Sequence, residues 1–170
     1  MEYRNIPDVK LEDRPASELI FRNFSGTPSA YNASGRRSVT LVLEPDLANA
    51  LAADGWNVKE KETRDGDIRY QLQVFVNFAN PRKRPRITMV RSGDVKGIAV
   101  DEDNIVELDS AEIEKFDIRI TPYPWELPTG AKGIKAFVKS MNVVIEHDDI
   151  ADKYSGFGRA AEECEELPFL

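Results

Sequence analysis

Apolar and polar residues alternate with a period of two through the middle of this chain. From Tyr70 to Phe78 the even positions Tyr70, Leu72, Val74, Val76 and Phe78 are all apolar, and the odd positions are Gln71, Gln73, Phe75 and Asn77. Side chains on a strand point alternately to opposite faces, so this pattern predicts a strand over 69–78 with one face in a core. Val39, Leu41 and Leu43 mark another over 38–43, and shorter runs predict strands over 19–24, 56–60, 86–90, 117–123 and 133–146. One short helix is predicted over 46–54. Pro45 suits its first turn, Leu47, Ala50 and Leu51 share a side, and Gly55 stops it. Asp65-Gly66 predicts a hairpin turn into the strand that follows, and the Gly-, Asn- and Ser-rich stretch 25–35 a loop. Residues 1–17, polar and carrying Pro7 and Pro15, read as a loose N-terminal arm.

Many strands and one helix make a mainly β domain. Closing the strands into a small barrel would dispose of exposed edges. An OB-fold-like barrel with long loops over residues 18–147 fits this size, although a sandwich is not separated from it by pattern alone. Residues 148–170 read as a flexible acidic C-terminal tail.

Charge sharpens that division. The chain of 170 residues carries −7 overall. From Asp148 onward seven acids face only Lys153 and Arg159, which leaves the body at −2. Within the body Arg82-Lys83-Arg84-Pro85-Arg86 puts four bases in five residues, Arg36 and Arg37 form a pair, and acids gather over 101–117. No apolar run is long enough to span a membrane. The N-terminus lacks the features of a secretion signal, and the single cysteine, Cys164, cannot form an internal disulfide, so a cytoplasmic setting is expected.

The polar faces of the strands carry the candidate chemistry. Phe75 sits among amides on the face that should meet water. Over 133–140, Ile134, Ala136 and Val138 point inward, while Lys135, Phe137 and Lys139 point outward. By the same parity Arg22 and Phe24 oppose Leu19 and Phe21, and Arg119 and Tyr123 oppose Ile118 and Ile120. Rings beside cations on one face suit a single nucleic-acid strand. Bases stack on the rings without regard to sequence, and the cations neutralise phosphates. Arg36, Arg37, Arg82, Lys83, Arg84 and Arg86 would guide the phosphates. Trp125 offers another stacking surface or plugs the barrel end, and Trp56 belongs in the core.

Several ordered segments resemble a family of phage-encoded single-stranded DNA-binding proteins. They are Phe21-Arg22-Asn23-Phe24-Ser25-Gly26, Tyr31-Asn32 with Gly35-Arg36-Arg37, 53–59, Pro122-Tyr123-Pro124-Trp125-Glu126, and 133–141. The resemblance spans roughly residues 20–154. It implies an OB-like fold and a role in replication or recombination of phage DNA inside a bacterium; a non-enzymatic binder is expected, with Tyr31 as a further candidate contact. The last residues, Glu165-Glu166-Leu167-Pro168-Phe169-Leu170, resemble the acidic, Pro-Phe-ended tip of bacterial and phage proteins of this kind. That tip implies recruitment of replication or recombination proteins; here Leu170 follows the phenylalanine.

Other chemistry finds little support. A zinc site would need more nitrogen and sulfur ligands than His147 and Cys164 supply. No nucleophile motif accompanies His147, no phosphate-binding glycine loop is present, and no cofactor is called for. Alternatives to DNA binding remain: an acidic mimic of DNA that inhibits a host enzyme, and a metal-dependent nuclease using Asp101, Glu102 and Asp103. A virion component is a third. Homo-oligomer formation stays open.

Overall fold

The computed structural model describes residues 6–30, 32, 34–93 and 96–146. Among the described residues nine strands and two helices follow in order: β1 (Val9–Pro15), β2 (Leu19–Asn23), β3 (Arg37–Leu43), α1 (Pro45–Asp54), β4 (Val58–Glu62), β5 (Ile68–Val76), β6 (Arg86–Arg91), β7 (Ile98–Val100), α2 (Glu107–Ser110), β8 (Ile113–Glu126) and β9 (Lys132–Ile145). A 3-10 turn, Ala16–Glu18, lies between β1 and β2.

All strands join one sheet, with the main path β1-β8-β9-β5-β3-β2. β1 and β2 stand at opposite ends of that path, yet only the 3-10 turn separates them in sequence. The sheet therefore has to curl until its ends approach, and it forms the half-barrel expected of a mainly β, OB-like domain. Two strands divide an edge between partners. β5 pairs with β4 over Ile68–Leu72 and with β9 in parallel over Val74–Phe75, and β9 passes to β6 over Ser140–Ile145.

The core lies inside the curl. Leu72, Val74 and Val76 of β5 meet Val39, Leu41 and Leu43 of β3, Phe116, Ile118 and Ile120 of β8, and Ile134, Ala136 and Val138 of β9. Trp56 is buried as expected and bridges to Ile134. Helix α1 begins with Pro45 in its first turn and ends at Gly55, whose φ of 101° is the left-handed conformation that glycine adopts without a Cβ clash. Its buried side differs from the expected one: Ala48 and Leu51 face the core, Leu47 packs against it, and Ala50 is exposed.

Three sequence expectations need correction. The segment read as a loose arm contains β1, an edge strand on β8 with Val9 opposite Ile120 and Leu11 opposite Ile118. Only two apolar positions mark it, too few for a period to be recognised. The acid-rich stretch 101–117, where the pattern predicts no element before residue 117, holds α2 and the start of β8 after an exposed turn over 101–103. Ile105 and Leu108 are fully buried there, Asp101 Oδ1 accepts from the backbone N–H groups of Asp103 (2.9 Å) and Asn104 (3.2 Å), and Asp109 caps the N–H groups of Phe24 and Ser25. In β9 the inward set switches parity, from Ile134, Ala136 and Val138 to Met141 and Val143. Pairing with β8 steps from Ile120–Val138 to Arg119–Ser140, which leaves Lys139 as the extra residue of a bulge.

Candidate nucleic-acid interface

The outer face of the half-barrel gathers three aromatic rings from three neighbouring strands. Phe75 of β5 lies directly beside Phe137 of β9 in the parallel register, and Tyr123 of β8 lies opposite Lys135 of β9. Ring centroids of Phe75 and Phe137 are 5.9 Å apart, and those of Tyr123 and Phe137 are 5.7 Å apart in an edge-on arrangement. These separations suit the aromatic quadrupole, which favours tilted and T-shaped pairs. Lys135 Nζ stands 5.5 Å from the Phe75 centroid, within cation–π range. Tyr123 is 57% exposed, and Phe75 and Phe137 are half-buried. Four of the eight side chains expected on the wet face, Phe75, Tyr123, Lys135 and Phe137, are thus brought into one cluster.

The cluster opens into a groove of about 570 Å³ that is also lined by Arg36, Arg37, Phe78 and Glu102. Phe78 forms its apolar floor, with the Arg37 guanidinium 5.6 Å and the Arg84 guanidinium 5.1 Å from its centroid. Both arginines have structural partners. Arg37 Nη1 donates to the Phe24 carbonyl at 2.8 Å, and Arg84 donates to the Phe78 carbonyl at 3.2 Å and to Glu102 Oε1 at 2.6 Å. That last bond raises the Arg84 pKa above its ordinary value and draws the Glu102 carboxyl below the usual carboxylate range. A guanidinium has five N–H donors, so each arginine keeps some for a ligand. Arg36 is exposed at the groove rim, Arg82 and Lys83 are exposed on the loop before β6, and Arg86 is exposed at the start of β6.

The remaining predicted contacts fall elsewhere. Phe24 is 0% exposed and belongs to the core. Arg22 donates from Nη1 to the carbonyls of Leu108 (3.0 Å) and Ala111 (2.7 Å), so it pins α2 to β2 rather than facing a ligand. Lys139, displaced by the bulge, pairs with Asp8 at 3.0 Å. Arg119 is exposed on β8 in a separate recess that it shares with Glu12 and Asp117. It stands four residues along from Tyr123, roughly 13 Å away. Trp125 is half-buried and lies flat over Gly133, where a Cβ would come within 2.8 Å of its ring. Of the proposed nuclease acids, Asp101 is engaged with backbone N–H groups and Glu102 with Arg84. Tyr31 and the tail residues Glu165, Glu166, Leu167, Pro168, Phe169 and Leu170 lie outside the described residues.

Sequence reasoning missed Phe21 and Arg69. Phe21 was assigned inward, yet it is 66% exposed, with a φ of 50° and the Arg69 guanidinium 5.9 Å from its ring centroid. The β2–β3 register shifts between Ile20 and Asn23, which reverses the parity of this pair of phenylalanines. No local signal chooses between them: residues 21 and 24 oppose each other on a regular strand in either arrangement, and only the pairing with β3 settles which faces out.

Three solved phage structures are similar to this chain. The single-stranded DNA-binding protein from bacteriophage Enc34 is 13% identical, with 87% of this chain and 90% of that one covered and a TM-score of 0.49. Its C-terminal truncation is 15% identical, with 84% and 86% covered and a TM-score of 0.48. The gp2.5 single-stranded DNA-binding protein of bacteriophage T7 is 13% identical, with 87% and 97% covered and a TM-score of 0.42. Comparison with curated proteins returns no match to the sequence. A family model described as "Putative phage ssDNA-binding domain" matches residues 1–167, and on that match over almost its whole length the chain belongs to this family.

Proposed function

We propose that this protein binds single-stranded DNA, without strong sequence preference, across the outer face of β8, β9 and β5. One observation carries the reading: Tyr123, Phe137 and Phe75 stand side by side on adjacent strands with Lys135 among them. Bases stack on the rings at about 1–3 kcal/mol each, and Lys135, Arg36, Arg82, Lys83 and Arg86 meet the phosphates. Family membership supports the same ligand. The protein acts by binding alone, in the cytoplasm of the phage's host, during replication or recombination.

The test is a titration of labelled oligo-dT, with and without magnesium. The parent protein shifts the oligonucleotide and leaves it intact, and replacing Phe75 and Phe137 together by alanine weakens binding with little change in its salt dependence. Cleavage would mean a nuclease instead, and no shift at low salt would favour an acidic mimic or a virion component.

The tail extends this reading on sequence grounds. Its acids can compete with DNA for the same cations, and Leu167, Pro168, Phe169 and Leu170 can seat in an apolar pocket of a replication or recombination protein. Removing residues 155–170 then tightens DNA binding. Unchanged affinity after truncation would refute the competition.

A further inference from the structure

The outer face carries a second aromatic–cation pair. Phe21 breaks the alternation of β2 through its positive φ, a conformation uncommon for a residue with a bulky side chain. The result is a phenylalanine with two thirds of its surface in solvent. Such exposed strain is unexpected where nothing uses the ring. The Arg69 guanidinium beside it is held in place from below. With the Gln71 amide oriented to satisfy both groups, its oxygen accepts from Arg69 Nη2 at 2.7 Å and Nε at 2.8 Å. Gln71 is only 7% exposed, so this support is set into the sheet. Arg69, Gln71, Gln73 and Phe75 share one face of β5, and so Phe21 and Phe75 look out on the same side.

Between the two rings lie Ser38 and Thr40 of β3 and Gln73 of β5, with Gln73 Nε2 donating to Ser38 Oγ at 3.2 Å. Gln73 is exposed over this corridor, the Ser38 and Thr40 hydroxyls lie largely buried beneath it, and none of these residues is a carboxylate. Strands lie about 4.8 Å apart, so four steps from β8 to β2 span roughly 19 Å. At a stacked spacing of about 3.4 Å per nucleotide that is roughly six nucleotides, within the about 4–16 of an OB-fold site.

Resting on the reading above, we propose that Phe21 and Arg69 form a second stacking station. A single strand that leaves the Tyr123–Phe137–Phe75 cluster crosses the Gln73–Ser38–Thr40 corridor and stacks a further base on Phe21. Arg69 takes the adjoining phosphate with the donors Gln71 leaves free.

Oligonucleotide length separates this proposal from the first. Full-length protein is titrated with oligo-dT of about 4 and about 16 nucleotides. Phe21→Ala weakens binding of the long oligonucleotide about 5- to 150-fold and leaves the short one nearly unchanged, whereas Phe21→Trp retains the long-oligonucleotide affinity. Arg69→Ala also acts only on the long oligonucleotide and lowers its salt slope by about 0.7. Equal weakening of both lengths by Phe21→Ala, or no weakening of either, overturns the second station. The Phe75 and Phe137 double variant weakens both lengths. If it does not, the primary cluster fails, and a long-only effect of Phe21→Ala still upholds the station on its own.

Discussion

β2 and β5 each send one phenylalanine to the outer face and another, three residues later, to the core. Phe75 and Phe78 do so on a regular alternation: Leu72, Val74 and Val76 point inward, Phe75 points outward, and Phe78 returns to the core just past the strand. Phe21 and Phe24 do so against the alternation, because the register shift after Ile20 and the positive φ of Phe21 turn the chain over. The same spacing of rings thus arises from a flat strand in the middle of the sheet and from a bent one at its edge. Edge strands tolerate bulges because only one side has a ladder to keep. In the middle of the sheet a slip would cost hydrogen bonds on both sides and move a whole apolar row into water.

The largest test of that difference is thermodynamic. Phe24→Ala should cost about 3–5 kcal/mol of unfolding free energy, as expected for a fully buried ring, and Phe21→Ala no more than about 0.5 kcal/mol. Urea melts of the two variants measure this directly. The reverse ranking would restore the regular alternation and move Phe24 to the surface.

Why part of the molecule was legible follows from the same contrast. The strands β3 and β5 and the cluster of Phe75, Tyr123, Lys135 and Phe137 could be read because each rests on an uninterrupted local period, and the limits of helix α1, though not its buried face, from Pro45 and Gly55. The family resemblance, read from segments in order, agrees with the match over residues 1–167. What escaped depends on pairing that no local pattern records. β1 is recognisable only once β8 supplies its partner, and Lys139 leaves its row because β9 must absorb an extra residue against β8. Arg22 and Arg37 looked like free cations and proved to be donors to backbone carbonyls far away in sequence. A basic residue's spare hydrogen-bonding capacity cannot be read from its charge.

Arg22 offers the next test of the edge strand. Arg22→Ala removes two hydrogen bonds to the carbonyls of Leu108 and Ala111 and leaves those acceptors part-buried. It should cost roughly 1–3 kcal/mol of stability. On oligo-dT, the folded variant should match the parent in salt slope. A slope reduced by about 0.7 would show that Arg22 meets a phosphate after all.

On the central strands the effect is smaller and lies in the slope. Lys135→Ala should leave stability within about 0.5 kcal/mol, since the side chain stands on the outer face. It should weaken DNA binding evenly across base sequences and flatten the salt dependence by about 0.7. An unaltered slope would leave Lys135 as a cap on Phe75 with no phosphate to hold.

The smallest expected effect comes from the groove's own carboxylate. Glu102 lines the groove and holds Arg84 at 2.6 Å, so it would repel a phosphate there and it occupies a cation that could bind one. Glu102→Gln should therefore tighten oligo-dT binding a few-fold at neutral pH. Acid should do the same to the parent, with the sign set by the depressed Glu102 pKa. The paired form persists above the usual carboxylate range and through it, and is lost only as pH falls past the lowered value, which Arg84 sets. Affinity of the parent should hence rise towards that of Glu102→Gln only at pH below the ordinary glutamate range. A variant that binds more weakly than the parent would assign Glu102 the opposite role, that of holding Arg84 in the pose the phosphate needs.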